Sequence, residues 1–227
     1  MNENLDQMTG LEFGNFNPDN MESDEIINVV LCVDTSYSMV KNKDALNEAY
    51  KEFVDYFKGT HIAEKLFISR IEFNTTVHKH TGFQPVTSLG DIDFGASIDG
   101  TTALYDATKE GLQNALKYRE DCMESGINCK TLLFVLTDGE DNESNANSAS
   151  DVKNMLEDIK SEEQNIGSFT TIILGLGNPV YFEEAHRVMG FDHLAISGDT
   201  GADIRKMIGF ISASISSVSS GQGIPNF

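Results

Sequence analysis

Four short runs of continuous, mostly branched apolar residues constrain this chain most: IINVVLCV (26–33), KLFISRIEF (65–73), TLLFVLT (131–137) and FTTIILGLG (169–177). A strand with one face in water alternates apolar and polar residues. A run that is apolar on both parities reads as a strand covered on both faces, the habit of parallel sheets. Between the runs the period changes to that of one-sided helices. Leu46, Ala49, Tyr50, Phe53, Val54 and Phe57 recur at spacings of three and four, as do Leu104, Ala107, Thr108, Gly111, Leu112 and Ala115. Val152, Met155, Leu156 and Ile159 repeat the pattern, with Ser148 or Ser150 placed to cap that helix, and Ile204, Met207, Ile208, Ile211, Ile215 and Val218 line a last helix over 201–218. A short helix around 180–189 leads to a strand HLAIS (193–197). TVHKH (76–80) is short and polar and reads as an antiparallel edge strand in a hairpin with 65–73. The expected fold is therefore α/β: a doubly wound, mostly parallel sheet with one antiparallel edge strand and helices on both faces.

At 227 residues the chain has room for one sizeable core, which the pattern places at 26–218. Residues 1–25 hold seven acids and no Lys or Arg and read as a flexible acidic arm; 219–227 read as a flexible tail, and 81–100 as a Gly- and Asp-rich loop. The net charge of −20 repels phosphate backbones and anionic lipid, so neither nucleic acid nor a membrane is an expected partner. No apolar run approaches the roughly 18 residues of a membrane helix, and the N-terminus lacks a basic segment followed by an apolar one, so a cytoplasmic location is expected. Cys32 lies inside an apolar run and reads as a core residue. Cys122 and Cys129 flank a loop without zinc-site spacing, and a disulfide between them is the minor reading.

The first and third of the central runs each end on an aspartate, Asp34 and Asp138, which should lie at the same edge of the sheet. Doubly wound sheets bind ligands at the carboxyl ends of their strands. Ser36 and Ser38 follow Asp34 at a spacing of two, so both hydroxyls can face one point. Thr102, in the Gly-containing turn DGTTALYDA (99–107), precedes a helical stripe. Each hydroxyl has a plainer role open to it: Ser36 or Ser38 could cap a helix beginning near Asn42, and Thr102 could be an N-cap. Together, two carboxylates and three hydroxyls make an all-oxygen set suited to Mg²⁺, Mn²⁺ or Ca²⁺ and poorly suited to zinc.

Asp34-Thr35-Ser36-Tyr37-Ser38, Thr102 in GTTALYDA and Asp138 in LTDGED resemble the D-x-S-x-S, threonine and distal-aspartate motifs of von Willebrand factor type A domains. The resemblance runs over most of 26–218. It implies a metal-ion-dependent adhesion site, in which Ser36, Ser38 and Thr102 supply direct ligands, Asp34 and Asp138 bind directly or through water, and a partner's Glu or Asp completes the octahedron. Cytoplasmic bacterial and phage proteins of the tellurite-resistance-associated type are the most similar subgroup, which implies an adaptor partnered by an ATPase, kinase or phosphatase system. Tyr37 departs from the small residue common at its position and puts a ring at the rim, where Asp99, Glu140, Asp141 and Asn142 add acidic and amide groups. For Glu140 and Asp141 solvated loop decoration is the first reading, and a second cation site or selection for basic partners around the metal-bound carboxylate is the alternative.

The expected function is a non-enzymatic, metal-dependent protein-binding module. The rival is a Mg²⁺-dependent nuclease of the PIN type, built from carboxylates such as Asp34, Asp138 and Asp141. The acidic charge and the redundancy of three hydroxyls weigh against it. No G-x-S-x-G elbow or phosphate loop is present, and the histidines, including His78 and His80, lack ligand spacing. A further expectation is that Glu3, Asp6, Glu12 or Asp19 of the arm supplies the carboxylate to the metal within the chain.

Overall fold

The computed structural model describes residues 25–162 and 167–227. Almost the whole of the acidic arm, with its four candidate carboxylates, lies outside the described residues. The sheet runs β3 (Val77–His80), β2 (Leu66–Phe73), β1 (Glu25–Asp34), β5 (Asn128–Thr137), β6 (Phe169–Leu176), β7 (His193–Ser197). β1, β2, β5, β6 and β7 are mutually parallel, and β3 is antiparallel to β2. This is the α/β architecture expected from the apolar runs.

Two-sided burial accounts for those runs. Along β1, Ile27, Val29, Leu31 and Val33 pack toward α1 (Lys43–Lys58) and α5 (Gly201–Ser219), while Ile26, Val30 and Cys32 pack toward α2 (Leu104–Glu124), α3 (Ala149–Ser161) and α4 (Pro179–Met189). The helices bury the stripes their periods announced, with Met155 and Val218 only partly covered: α1 buries Leu46, Ala49, Tyr50, Phe53, Val54 and Phe57. Ser148 caps α3 in a capping box with Asp151, and Thr200 does the same for α5 with Asp203.

Two segments differ from expectation. Residues 81–100 are not a plain loop: β4 (Gln84–Pro85) pairs antiparallel with β2, and short 3₁₀ turns follow at Val86–Ser88 and Phe94–Ser97. Phe83, Val86 and Phe94 are buried, and Phe83 stacks on Tyr118 at 4.2 Å. Isolated apolar residues in a polar segment carry no period, so the sequence pattern does not show this anchoring. The last residues, expected as a free tail, run back along α5. Phe227 meets Phe210 edge-on at 5.2 Å, Lys206 lies over the Phe227 ring, and Gln222 donates to the Ser217 carbonyl.

Helix α4 packs close to β6 at Gly175, where an added Cβ would lie 2.3 Å from the ring of fully buried Phe182. Gly175→Val is expected to destabilise the fold by about 2–3 kcal/mol through overpacking, and Phe182→Leu in the same chain to recover part of it. Urea unfolding of the wild type and the two variants measures this; an unchanged midpoint for Gly175→Val would contradict the packing described.

Candidate metal-binding site

Parallel pairing of β1 with β5 sets Val33 opposite Leu136, so Asp34 and Asp138 emerge side by side at the carboxyl edge of the sheet. Asp34 is fully buried. Its Oδ1 accepts from the Ser36 N–H at 2.8 Å and its Oδ2 from the Thr137 hydroxyl at 2.6 Å. Burial pushes this carboxyl up to about 6, with the hydrogen bonds from Thr137 and Ser36 opposing the shift. The Ser36 and Ser38 hydroxyls are 3.0 Å apart, and Ser38 donates to Asp138 Oδ1 at 2.6 Å. Burial raises the Asp138 carboxyl as well, against the hydrogen bond from Ser38 and the nearby Lys41 charge. Four of the five candidate residues thus form one hydrogen-bonded chain: Asp34, Ser36, Ser38, Asp138.

Thr102 reaches the same place from the other side. Its N–H donates to Asn142 Oδ1 at 2.9 Å, and its carbonyl accepts from the Asn142 and Glu143 N–H groups. A Cβ built on Gly139 would lie 3.8 Å from Thr102 Oγ1, which puts that hydroxyl beside the residue following Asp138. The turn carrying Thr102 is also tied to the β1 loop, since Tyr37 N–H donates to the Gly100 carbonyl and Asp99 N–H to that of Thr35. Gly100 has φ +65°, and a Cβ there would lie 2.1 Å from Thr75 Oγ1, so only glycine fits this turn.

Neither capping role is taken up. Ser36 stands at the start of the 3₁₀ turn Tyr37–Asn42 without a side-chain cap bond, and the N-cap position of α2 is Ala103. Thr102 Oγ1 makes no hydrogen bond among the described residues, although Thr102 is only 3 % exposed. The site therefore holds a hydroxyl without a protein partner, on a residue that is itself almost wholly buried, next to two carboxyls whose burial disfavours their charge. These residues fit a hard divalent cation, for which such a set of oxygens is the ordinary donor chemistry.

At the rim, Tyr37 is 69 % exposed and Glu140 and Asp99 are exposed, with Asp99 Oδ1 held by the Gly100 N–H. Asp141 is turned toward α2: it accepts from the Tyr105 N–H and the Ser144 hydroxyl. Sequence reasoning missed the residues that lock this loop. Ser144 Oγ accepts from the Tyr105 and Asp106 N–H groups at the start of α2, Asp106 Oδ2 accepts from the Asn145 N–H, and Thr137 fixes Asp34. The available signal was the clustering of Ser and Asn over residues 142–148.

A von Willebrand factor type A domain model matches residues 28–189, well over half of the chain. The chain belongs to the von Willebrand factor type A domain family. Solved structures carry the same fold at low identity. A type A protein from Catenulispora acidiphila is 16 % identical with a TM-score of 0.53, over 86 % of this chain and 43 % of that one. Proximal thread matrix protein 1 from the mussel byssus is 14 % identical with a TM-score of 0.57, over 84 % and 46 %. The von Willebrand factor domain of a type V pilus tip protein from Porphyromonas gingivalis is 11 % identical with a TM-score of 0.53, over 89 % and 97 %. This type A domain chain thus spans less than half the length of the first two and nearly all of the third. No curated protein matches the sequence. No helix among the described residues is long and apolar enough to cross a membrane.

Proposed function

We propose that this type A domain is a non-enzymatic binding module, which holds a divalent cation, Mg²⁺ in the first instance, and captures a carboxylate of a partner protein. The observation that carries the reading is the joining of Asp34, Ser36, Ser38 and Asp138 by hydrogen bonds, with the unpartnered Thr102 hydroxyl at their edge. Ser36, Ser38 and Thr102 would hold the cation through neutral hydroxyls, with Asp34 and Asp138 acting directly or through water. A bound cation would supply an electrophilic position for an anionic oxygen from outside, because three neutral ligands offset little of its charge. The residues do the positioning: Thr137 and the Ser36 N–H fix Asp34, Asn142 fixes Thr102, and exposed Tyr37 offers a partner an amphipathic contact beside the site.

Catalysis finds less support. The hydroxyl–imidazole pair among the described residues, Thr35 Oγ1 and His78 Nε2 at 3.4 Å, has its hydroxyl fully buried and donating to the Phe73 carbonyl. For the nuclease alternative, Asp141 is engaged by α2, and no group of three or more His, Cys, Asp or Glu able to hold a metal occurs among the described residues. We place the module in the cytoplasm as an adaptor of an ATPase, kinase or phosphatase assembly, similar to the tellurite-resistance-associated group. The support for a reducing compartment is three cysteines, all free and buried.

Calorimetry with Mg²⁺ and Mn²⁺ on the wild type and Asp138→Ala tests the reading. Saturable binding is expected in the wild type and its loss in the variant. A wild type that binds neither ion, even with a carboxylate-bearing peptide present, would contradict it. A pull-down from the native host with and without EDTA would then identify the partner.

A further inference from the structure

The exposed large apolar side chains of the described residues gather at the edge of the sheet that carries Asp34 and Asp138. Tyr37 and Val40 stand on the 3₁₀ turn that follows β1, and Val180 and Tyr181 on the first turn of α4, which follows β6. In the sheet order β1, β5, β6 these two turns lie on either side of β5, whose chain runs on into Asp138. Of the other exposed large apolar residues, Tyr56 is near the far end of α1 and Phe227 packs on Phe210. Apolar side chains scattered singly over a surface need no explanation, whereas a group around a candidate ligand position marks a contact face.

The charge of this edge is one-sided. The Asp99 N–H holds that residue on the Thr35 carbonyl, and Glu140 follows Asp138 by two positions. Glu143 sits against the Thr102 turn: its N–H donates to the Thr102 carbonyl and its Oε2 accepts from Thr101 Oγ1 at 3.1 Å. None of these three acids has an ion-pair partner among the described residues. Of the cations near the β1 loop, Lys41 is engaged by Asp199, and the stem of Lys43 lies against the turn at Gly95. Nor do the acids converge on a second cation, since no group of three or more His, Cys, Asp or Glu able to hold a metal occurs among the described residues.

We infer, on the basis of the metal site proposed above, that this edge receives a basic segment of a partner protein, in which the carboxylate taken up by the cation is flanked by Lys or Arg and by an apolar side chain. Charge complementarity selects this occupant. A Glu on a neutral segment gains only the metal contact. On an acidic segment its neighbours meet Asp99, Glu140 and Glu143, and like charges brought together cost affinity. Flanking cations instead find three acids without a counterion, and the apolar flank covers Tyr37 and Val40. The chain's own segment 1–25, with seven acids and no Lys or Arg, is repelled by the same residues, and a second copy at a net charge of −20 is repelled as a whole.

Fluorescein-labelled peptides of equal length test this on the full-length protein. Each carries one central Glu beside one Leu, and the remaining positions alternate Gly with Lys, with Ser or with Asp; a further peptide is the chain's own LEFGNFNPDNME (11–22). Fluorescence anisotropy is read in Mn²⁺ and in EDTA. Binding is expected in Mn²⁺ alone, with the Lys peptide about tenfold tighter than the Ser peptide at low salt, as a few exposed ion pairs supply. The Asp peptide should be the weakest, and the differences should shrink as NaCl is raised. Replacing Leu by Ser in the Lys peptide should weaken it roughly fivefold, the effect of half-covering one such side chain. Asp99→Asn/Glu140→Gln should cut the preference for Lys over Ser to about threefold or less. Equal metal-dependent affinities of the Lys and Ser peptides, or an unchanged preference in the double variant, would overturn the basic partner and leave carboxylate capture standing. Tightest binding by the 11–22 peptide would assign the surface to the chain itself and overturn it as well. If no peptide distinguishes Mn²⁺ from EDTA, the basic partner and the carboxylate capture both fall.

Discussion

Glu72→Ala is expected to destabilise the fold by about 3–5 kcal/mol, the cost typical of removing one partner from a buried ion pair. Glu72 is fully buried on β2, 2.9 Å from the Arg70 guanidinium, and accepts from Ser97 Oγ at 2.6 Å. Arg70 is itself buried, with its guanidinium 5.8 Å from the ring centres of both Tyr50 and Phe94. Deleting the carboxylate leaves a cation without its counterion where little water reaches it. It also frees Ser97, whose carbonyl accepts from Asn74 Nδ2, while the Asn74 carbonyl accepts from the Ala103 N–H next to Thr102. The variant should therefore bind the divalent cation more weakly as well as unfold earlier. Arg70→Met/Glu72→Leu, which removes both charges at similar volume, should recover most of the stability. Urea unfolding monitored by circular dichroism distinguishes the cases. A double variant as unstable as Glu72→Ala would show that the damage comes from packing and not from the unpaired charge.

Thr102→Val should have the opposite profile: little change in the stability of the metal-free protein and a large loss of cation affinity. The substitution keeps the shape and removes only Oγ1, which has no hydrogen-bond partner among the described residues. Removing a hydroxyl that bonds to no protein group is close to neutral for the fold. As a direct ligand it should cost at least the roughly 10–100-fold in affinity seen when even outer-shell partners of a metal are removed. A Mn²⁺ titration followed by the paramagnetic resonance of the free ion gives the affinity, and urea unfolding without metal gives the stability. Wild-type affinity in Thr102→Val would remove Thr102 from the ligand set.

The contrast between these two predictions follows what the sequence reveals and what it hides. Strands buried on both faces must be apolar at every position, so β1 and β5 announce themselves, and their last residues place Asp34 and Asp138 together. The D-x-S-x-S spacing and the distant threonine were legible for the same reason, since each stands at the end of a strand or the start of a helix whose period is clear. What holds them there was not legible. Charges within a strand ordinarily face water, so nothing in KLFISRIEF distinguishes Arg70 and Glu72, two apart on one face, as an enclosed pair. The lock of Asn142, Ser144 and Asp106 on the start of α2 joins polar residues some 40 positions apart in polar segments, where neither period nor composition marks a contact. Likewise, only the folded chain shows that Ser36 and Thr102 leave the capping roles open to them unused.

Ser36, Ser38 and Thr102 should surround a divalent cation at the edge of the sheet between Asp34 and Asp138. Diffraction from crystals grown with Mn²⁺, recorded where manganese scatters anomalously, tests it most directly. The expected result is a single strong peak bounded by the three hydroxyls, with both carboxylates reaching it directly or through water and one position turned to solvent. A crystal saturated with Mn²⁺ that shows no peak there, or a peak only among Glu140, Asp141 and Glu143, would contradict it.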